Sequence, residues 1–170
     1  MIRRLMEAGE EFNVEPYGTE ALGVMRIEKG HVAGNELDGT TTALNLGMER
    51  MVSKKKDSIG SILSERPDLN KENSMKLVGF KPVNRKDPIP AGSHLINKGD
   101  PINAAHDQGY ISSACYSPNL GHSIAIGYLK SGDRRRGELI RLISPLTGYD
   151  HVVEVVSPHF IDPDGERLRA

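Results

Sequence analysis

Apolar and polar positions divide the chain into two parts of different character. Up to about residue 72, the apolar residues recur at helical spacing. From about residue 75, they fall in short segments rich in β-branched residues, separated by Gly, Pro, Asn and Asp. The pattern therefore predicts an α+β chain, with a mainly helical first part and an antiparallel β unit after it.

Three helices are predicted in the first part. The first begins at residue 1, where four apolar residues recur at helical spacing: Ile2, Leu5, Met6 and Phe12. A second helix spans residues 17–29 and is apolar around most of its surface, so we expect it to be covered on several sides. Residues 58–65 predict a short third helix, and the polar run 68–74 reads as a linker.

Six strands are predicted in the second part, at spacings of roughly 10 to 15 residues. Their sequences are KLVGFKP, SHLIN, GYISSACY, SIAIGYL, GELIRLIS and HVVEVVS. No helical pattern separates them, which argues against βαβ units and favours a small barrel or sandwich.

The segment RIEKGHVAGNELDGTTTALNLG, residues 26–47, is too polar and too rich in glycine to be core. On an extended backbone, Glu36 and Asp38 would point to one face, and the threonine run could cap a following short helix. We predict an ordered loop over residues 34–42, partly buried at the seam between the two halves. One or both carboxylates should accept backbone N–H bonds.

Charge and composition exclude several classes of protein. The 22 basic and 23 acidic residues leave no electrostatic signature for nucleic acid or for an anionic membrane. The longest apolar runs are far below the roughly 20 residues that cross a bilayer. The first twelve residues carry five charges and no apolar signal core, so we expect a cytoplasmic protein. Because the chain opens directly on a helix, we also expect it to be a fragment of a longer one.

Local motifs for chemistry are scarce. The six histidines lack metal-ligand spacing, and no GxGxxG, Walker or GxSxG motif occurs. Cys115 lies in a predicted strand and is expected to be buried and inert. Residues 117–121 read as a tight turn and 133–137 as a solvated hairpin tip. Arg26 and Glu28 are expected to cap and tether the second helix, in preference to a ligand role.

Five motifs, taken in order, resemble one family. They are RIEKG at 26–30, GNELD at 34–38, the Thr-Thr pair before Ala43, KKDSIG at 55–60 and SPNLG at 117–121. The order and spacing are similar to those of the glycine-cleavage T-protein group, which includes aminomethyltransferases and the folate domains fused to amine-oxidising flavoproteins. Residues 17–39 and 162–169 look closest to the C-terminal part of alpha subunits of heterotetrameric sarcosine oxidases.

The resemblance implies a fold and a division of the chain. Residues 1–72 would be the end of a central ferredoxin-like split α/β domain with its connecting loops. Residues 73–170 would be a C-terminal antiparallel β-barrel of the T-protein kind.

The resemblance also implies a function that only the longer protein performs. The family transfers a one-carbon unit, and in the oxidase variant tetrahydrofolate becomes 5,10-methylenetetrahydrofolate, with FAD, FMN and NAD bound elsewhere in the complex. Partners would be the other oxidase subunits and the missing N-terminal part of the same chain. The catalytic residues would lie upstream, so the isolated chain should be inactive. The folate-binding candidates are Arg26, Glu36, Asp38, Tyr116 and Arg167.

Three positions depart from the family pattern. Leu22 stands where T-proteins carry an arginine that touches folate, and an apolar side chain cannot form a charge-assisted bond. Asn45 replaces a frequent acid and Ser58 a frequent phenylalanine. Two alternatives stay open beside the oxidase reading. One is a non-catalytic module that shapes the folate funnel and assembles subunits, and the other is part of an aminomethyltransferase of the glycine-cleavage type.

Overall fold

The helices and strands of the computed structural model follow the predicted order. The structure describes residues 1–56, 58–167 and 169. Two positions of the quoted motifs, Asp57 and Leu168, lie outside the described residues. The helices are α1 Ile2–Gly9, α2 Thr19–Lys29 and α3 Ile59–Ser64, with 3₁₀ turns at Glu10–Phe12, Glu49–Met51, Ala104–His106 and Gly132–Arg134. The strands are β1 Met75–Pro82, β2 His94–Ile96, β3 Asp107–Ser117, β4 His122–Lys130, β5 Leu139–Ser144 and β6 Tyr149–Val156.

The six strands close into an antiparallel barrel, so the β unit is a barrel and not a sandwich. The strand order is β1-β4-β3-β2-β5-β6, and β6 returns to pair with β1 through Gly79 opposite Val156. Closure leaves no strand edge unpaired in the barrel wall. The predicted α+β class, with helices followed by a C-terminal barrel, is confirmed.

Alternation along the strands builds two apolar clusters on opposite faces of the wall. The barrel interior holds Val78, Phe80, Ile89, Leu95, Ile111, Ala125, Leu129, Ile140, Leu142, Val153 and Val155. On the outside, Ile124, Ile126 and Tyr128 of β4 pack with Ile27 of α2. This second cluster packs the helical part against the outer face of the barrel.

Within the described residues, the second helix is covered on its barrel side and not on several sides as predicted. Ile27 is the buried apolar residue of α2, while Leu22 and Met25 are exposed. Ile2 and Leu5 of α1 are exposed as well. Helices that show apolar residues at regular spacing on an open face lack a packing partner.

One local expectation needs correction, and the predicted linker has a contact with the barrel. Residues 43–47 form turns and not a helix, because Asn45 Oδ1 accepts bonds from Thr42 N and Thr42 Oγ1 and closes the chain on itself. The 68–74 segment has no regular secondary structure, but it is attached to the barrel where Arg134 contacts Glu72 at 3.1 Å. Within the described part of the chain, no helix is long and apolar enough to span a membrane.

Candidate functional site

The candidate site lies at the seam where α2 and the loop after it rest on β3 and β4. Arg26, in the last turn of α2, donates from Nη1 to Glu36 Oε2 at 3.0 Å and from Nη2 to Ser113 Oγ at 2.7 Å. About a fifth of its side chain is exposed (21%), whereas the Glu36 side chain is fully buried (0%). One guanidinium therefore joins the helix, the loop and the barrel, on a side chain that is partly exposed.

The Glu36 carboxylate is saturated by protein donors. Besides Arg26, it accepts bonds from Ser112 Oγ at 2.7 Å, Ser113 Oγ at 2.6 Å and Ala33 N at 2.8 Å. Burial would raise the pKa of Glu36, but the bonds from Ser113, Ser112 and Ala33 with the Arg26 charge outweigh it and lower the pKa below its usual value. Glu36 is thus an ionised, buried anchor.

The backbone of the same loop is fastened at two further points. The Tyr128 hydroxyl donates to the Glu36 carbonyl at 2.5 Å. Asn45 exchanges bonds with the start of β1, donating from Nδ2 to Met75 O at 2.7 Å and accepting from Leu77 N at 2.7 Å. The predicted loop, partly buried at the seam with carboxylates bonded to backbone N–H groups, is confirmed.

The two loop carboxylates point to different environments, which corrects the expectation that they share a face. Residues 34–36 form a turn in place of an extended segment, so Glu36 enters the seam while Asp38 stays exposed. Asp38 Oδ1 accepts from Thr40 Oγ1 and Thr40 N at 2.7 Å each, and these bonds lower its pKa. The threonine run therefore holds the Asp38 carboxylate and does not cap a helix.

Glu28 makes a second connection between α2 and the barrel. It is buried (4%), and its Oε1 accepts from Ser117 Oγ at 2.5 Å, while Asn119 Nδ2 donates to both carboxylate oxygens at 3.1 and 3.0 Å. Ser117 and Asn119 belong to the 117–121 turn, which is confirmed by the bond from Gly121 N to Ser117 O at 2.8 Å. The tethering role expected of Arg26 and Glu28 is confirmed.

The C-terminal tail returns to the end of α2. The Glu28 carbonyl accepts bonds from Phe160 N and Ile161 N, both at 2.9 Å. Lys29 Nζ contacts Asp162 Oδ2 at 2.9 Å, and Asp162 Oδ1 in turn accepts from Arg167 N at 3.4 Å. These contacts place Arg167, which is exposed, near the C-terminal end of the helix.

The five sequence-predicted site residues lie in four places. Arg26 and Glu36 touch each other at the seam. Asp38 lines an open pocket of about 310 Å³ together with Tyr110, Tyr128, Asn45 and Lys130, among others. Tyr116 is exposed near the end of β3, and Arg167 is exposed on the returning tail.

The pocket beside Asp38 contains a tilted aromatic pair. The rings of Tyr110 and Tyr128 have centroids 5.7 Å apart. Burial, followed by the Asp38 and Glu36 charges, raises the pKa of Tyr110. Burial raises the pKa of Tyr128 to about 12. Both phenols are therefore neutral donors at neutral pH.

The sequence analysis did not identify the barrel residues that form the seam with the helical part. Ser112, Ser113 and Asn119 hold the two acids of the helical part, yet they are small polar residues far away in the sequence. One feature of the sequence could have indicated them: two consecutive serines interrupt the apolar alternation of β3. They lie next to the register shift between Ile111 and Ser113.

Two further expectations concern single residues. The 133–137 run is only partly a solvated tip, because Arg135 turns inward to bond Asn97 Oδ1 at 2.7 Å and Glu138 at 2.6 Å. Cys115 lies on β3 and is half-buried, and burial raises the pKa of its thiol to about 11. Among the described residues, no group of three or more His, Cys, Asp or Glu is placed to hold a metal ion.

Comparison with known families and proteins finds similarity along nearly the whole chain. The family model of the GCVT N-terminal domain matches residues 1–56, and that of the glycine cleavage T-protein C-terminal barrel domain matches residues 76–162. Sarcosine oxidase subunit alpha of Rhizobium meliloti (strain 1021) is 39% identical over 165 residues, which are 96% of this chain and 17% of that protein. The same subunit of Corynebacterium sp. (strain P-1) is 36% identical, over 94% of this chain and 17% of that protein.

Aminomethyltransferases also match, over a smaller share of the chain. The one from Halothermothrix orenii is 35% identical over 82% of this chain and 37% of that protein. Glycine cleavage system aminomethyltransferase T from Bartonella henselae shares the fold, with a TM-score of 0.71 at 24% identity over 95% of this chain and 44% of that one. The chain spans about a sixth of the length of the sarcosine oxidase relatives.

Proposed function

Because the chain belongs to the glycine-cleavage T-protein family, we propose that it is the C-terminal part of a sarcosine oxidase alpha subunit and shapes its tetrahydrofolate site. The similarity to alpha subunits covers more of the chain than the similarity to aminomethyltransferases. Leu22 also favours the oxidase over a glycine-cleavage enzyme, because it cannot supply the arginine contact expected there.

The main support for the proposal is the Arg26 guanidinium, which hydrogen bonds keep in one position. Its bonds to Glu36 and Ser113 fix its position, and its partly exposed side chain would meet an anion in the funnel. The tail of tetrahydrofolate ends in carboxylates, for which a preorganised guanidinium is a suitable donor. Tyr116 and Arg167, both exposed, are the candidates for the rest of the rim.

Within this proposal, Glu36 and Asp38 act on folate through other residues. Four donors occupy the Glu36 carboxylate, so it supports Arg26 and does not itself face the ligand. Asp38 is tied to its own threonine turn and would line the pocket beside Tyr110. Folate would supply the acceptor of the one-carbon unit, and the groups that read its pterin ring and move protons would lie upstream of residue 1.

The proposal extends to the parent complex. FAD, FMN and NAD would be bound by other parts of the alpha subunit and by its partner subunits, in the cytoplasm. Residues 1–72 would complete the central α+β domain of the subunit, and residues 73–170 would be its barrel domain.

A second candidate function is a non-catalytic module that shapes the funnel and assembles subunits. The exposed apolar residues of α1, α2 and α3 favour it, with Ile59 88% exposed as the extreme case. Such a surface is expected to pack against the missing N-terminal part of the same chain or against another subunit.

Calorimetric titration of the chain with tetrahydrofolate tests the main proposal. We expect weak binding and no production of methylenetetrahydrofolate from formaldehyde above the uncatalysed rate, because in this proposal the groups that read the pterin ring belong to another part of the alpha subunit. Arg26→Met should abolish the residual heat, whereas Arg136→Met, a change at an exposed arginine of the hairpin tip, should not. Micromolar affinity or turnover would show that the essential residues lie within this chain. Residual binding unaffected by Arg26→Met would remove the role of Arg26.

The sequence of the gene upstream of Met1 tests whether the parent protein is a sarcosine oxidase alpha subunit. A sarcosine oxidase alpha subunit should encode a dinucleotide-binding GxGxxG segment far upstream, within a βαβ unit. An upstream region that encodes only the rest of an aminomethyltransferase would favour the alternative that the chain is part of an aminomethyltransferase of the glycine-cleavage type.

A further inference from the structure

Ser113 lies between the two charged side chains of the seam. Its hydroxyl accepts a bond from Arg26 Nη2 at 2.7 Å and donates one to Glu36 Oε1 at 2.6 Å. Chemistry fixes these directions, because a guanidinium only donates and an ionised carboxylate only accepts. Ser113 is buried (4%), so water has little access to compete for the hydroxyl. The serine is therefore committed to one orientation between the two charges.

A β-bulge aims this serine at the seam. Consecutive residues of a regular strand point to opposite faces of the sheet. Ser112 and Ser113 nevertheless both donate to Glu36 Oε1, at 2.7 and 2.6 Å. The register of β3 on β4 passes from Ile111 to Ser113 and skips Ser112, and such bulges re-aim side chains. The shift therefore lets both hydroxyls reach one carboxylate oxygen.

The Arg26 guanidinium carries five N–H donors in one plane. Nη1 donates to Glu36 Oε2 at 3.0 Å and to His31 O at 3.3 Å, and Nη2 donates to Ser113 Oγ. Because Glu36 and Ser113 are bonded to each other, they together face the edge formed by Nη1 and Nη2. The remaining N–H of Nη2 then lies beside the N–H of Nε, on the next edge of the same plane.

The Nε side of this guanidinium is accessible to solvent. Nε donates to no group among the described residues, and in that part of the chain every buried side-chain nitrogen and oxygen has a hydrogen-bond partner. An Nε without a partner, on the partly exposed Arg26, is therefore not buried. Two adjacent N–H groups on one guanidinium edge match the two oxygens of a carboxylate, and the positive charge is permanent in proteins.

We propose that Ser113 is a positioning residue that fixes the rotation of the Arg26 guanidinium, so that its Nε–Nη2 edge meets a ligand carboxylate with two parallel N–H bonds. Ser113 acts through Arg26 and does not touch the ligand. Without it, Glu36 and the His31 carbonyl would still hold Nη1, but Nη2 would lose its acceptor on the barrel. For the identity of the ligand, the inference rests on the proposed function, in which the carboxylate belongs to the tail of tetrahydrofolate.

Nitrogen-15 NMR of the purified chain with 4-aminobenzoylglutamate, which carries the carboxylates of the folate tail, tests the proposal. The neutral diamide of the same compound is the matched probe. The Arg26 Nε–Hε signal is identified by its absence in Arg26→Met. At constant ionic strength, we expect this signal to shift saturably with the acid, with a dissociation constant on the order of 1–10 mM, and not with the diamide. A signal that does not move, or that moves equally with both probes, would overturn the proposal.

Two serine variants separate the positioning of Arg26 from general support of the seam. Ser113→Ala and Ser112→Ala each remove one hydroxyl that donates to Glu36 Oε1, but only Ser113 also accepts from Arg26. Ser113→Ala should speed rotation of the guanidinium about its Nε–Cζ bond at least about 10-fold and weaken binding of the acid about 3- to 10-fold. Ser112→Ala should change both quantities less than half as much. Equal effects of the two variants, with melting temperatures that show folded proteins, would mean that Ser113 has only a structural role.

The parent chain provides a measurement that needs no variant. Rotation of the guanidinium should be at least about 10-fold slower at Arg26 than at the exposed Arg136, and equal rates would overturn the proposal.

Tetrahydrofolate distinguishes this inference from the function on which it rests. If 4-aminobenzoylglutamate shifts the Arg26 signal in a way that depends on Ser113 and tetrahydrofolate does not, the carboxylate contact stands and the folate proposal is wrong. If both ligands shift the signal equally in the parent chain and in Ser113→Ala, the folate proposal stands and the role of Ser113 is wrong.

Discussion

Arg26 and Glu36 are ten positions apart, on a helix and on the loop after it, and their charged groups meet at 3.0 Å on the barrel surface. Both also contact the hydroxyl of Ser113, at 2.7 and 2.6 Å. One barrel residue thus bridges the ion pair. The pair is part of the interface between the two halves and sets the geometry of any ligand contact made by Arg26.

Glu36→Ala should destabilise the chain by about 1–3 kcal/mol, because it leaves Ser112, Ser113 and Ala33 N without their acceptor. Urea unfolding followed by circular dichroism measures the change. Glu15→Ala, at an exposed glutamate of the loop before α2, is the control and should change stability by less than about 0.5 kcal/mol. Equal effects of the two variants would contradict the buried role of Glu36.

The same carboxylate should make stability depend on acid pH. The pKa of Glu36 is lower in the folded chain than its ordinary 4.5, so the unfolded state binds more protons. Its contribution is therefore present above pH 4.5 and is lost as the pH falls through the lower folded value. Thermal melts between about pH 6 and 3 should show a shallower acid decline for Glu36→Gln than for the parent chain. Parallel declines would mean that Glu36 is not ionised in the seam.

Cys115 should react slowly with alkylating reagents while the chain is folded. With a pKa of about 11, only about 0.1% of the thiol is ionised at pH 8, against about a quarter for a free cysteine. Iodoacetamide labelling followed by mass spectrometry should be about 100-fold slower in buffer than in concentrated urea. Rapid labelling of the native chain would show an exposed, activated thiol.

Gly30→Ala should destabilise the chain far more than a glycine replacement with the same backbone conformation elsewhere. At Gly30, φ is +76°, and an added Cβ would lie 2.5 Å from Pro158 O and 2.6 Å from His159 Nδ1. We expect a loss of about 2–4 kcal/mol, because the tail must move as well as the helix end.

Gly47→Ala is the control for that variant. Gly47 has a φ of +70° but open space around it, so its replacement should cost about 1 kcal/mol for conformation alone. Similar losses for the two variants, measured by urea unfolding, would show that the tail does not press against the end of α2.

The sequence predicted the elements well and their mutual placement poorly, for a physical reason. The β3 and β4 segments carry β-branched and apolar alternation, which is a local property and could be recognised directly. Closure depends on β6 meeting β1, a contact between residues more than seventy positions apart that no local pattern encodes. The barrel could therefore be distinguished from a sandwich only through the family resemblance.

The site shows the same limit at the level of single residues. Arg26 and Glu36 could be selected because their motifs are local, and the loop around Glu36 could be expected to bond its own backbone. Their partner Ser113 could not be found, since a serine in a strand is common and its role arises only when β3 passes under α2. The expectation of one face for Glu36 and Asp38 was wrong because residues 34–36 form a turn in place of an extended segment.

The returning tail has a consequence for the chain as a whole. Three side-chain contacts hold the helical part against the barrel independently of the covalent link through residues 68–74. They join Lys29 to Asp162, Glu28 to Asn119 and Arg26 to Ser113. A single tryptic cut after the exposed Lys71 should then leave two polypeptides that elute together in size-exclusion chromatography and separate only in denaturant. The two pieces, expressed from separate genes, should assemble by complementation into the same structure.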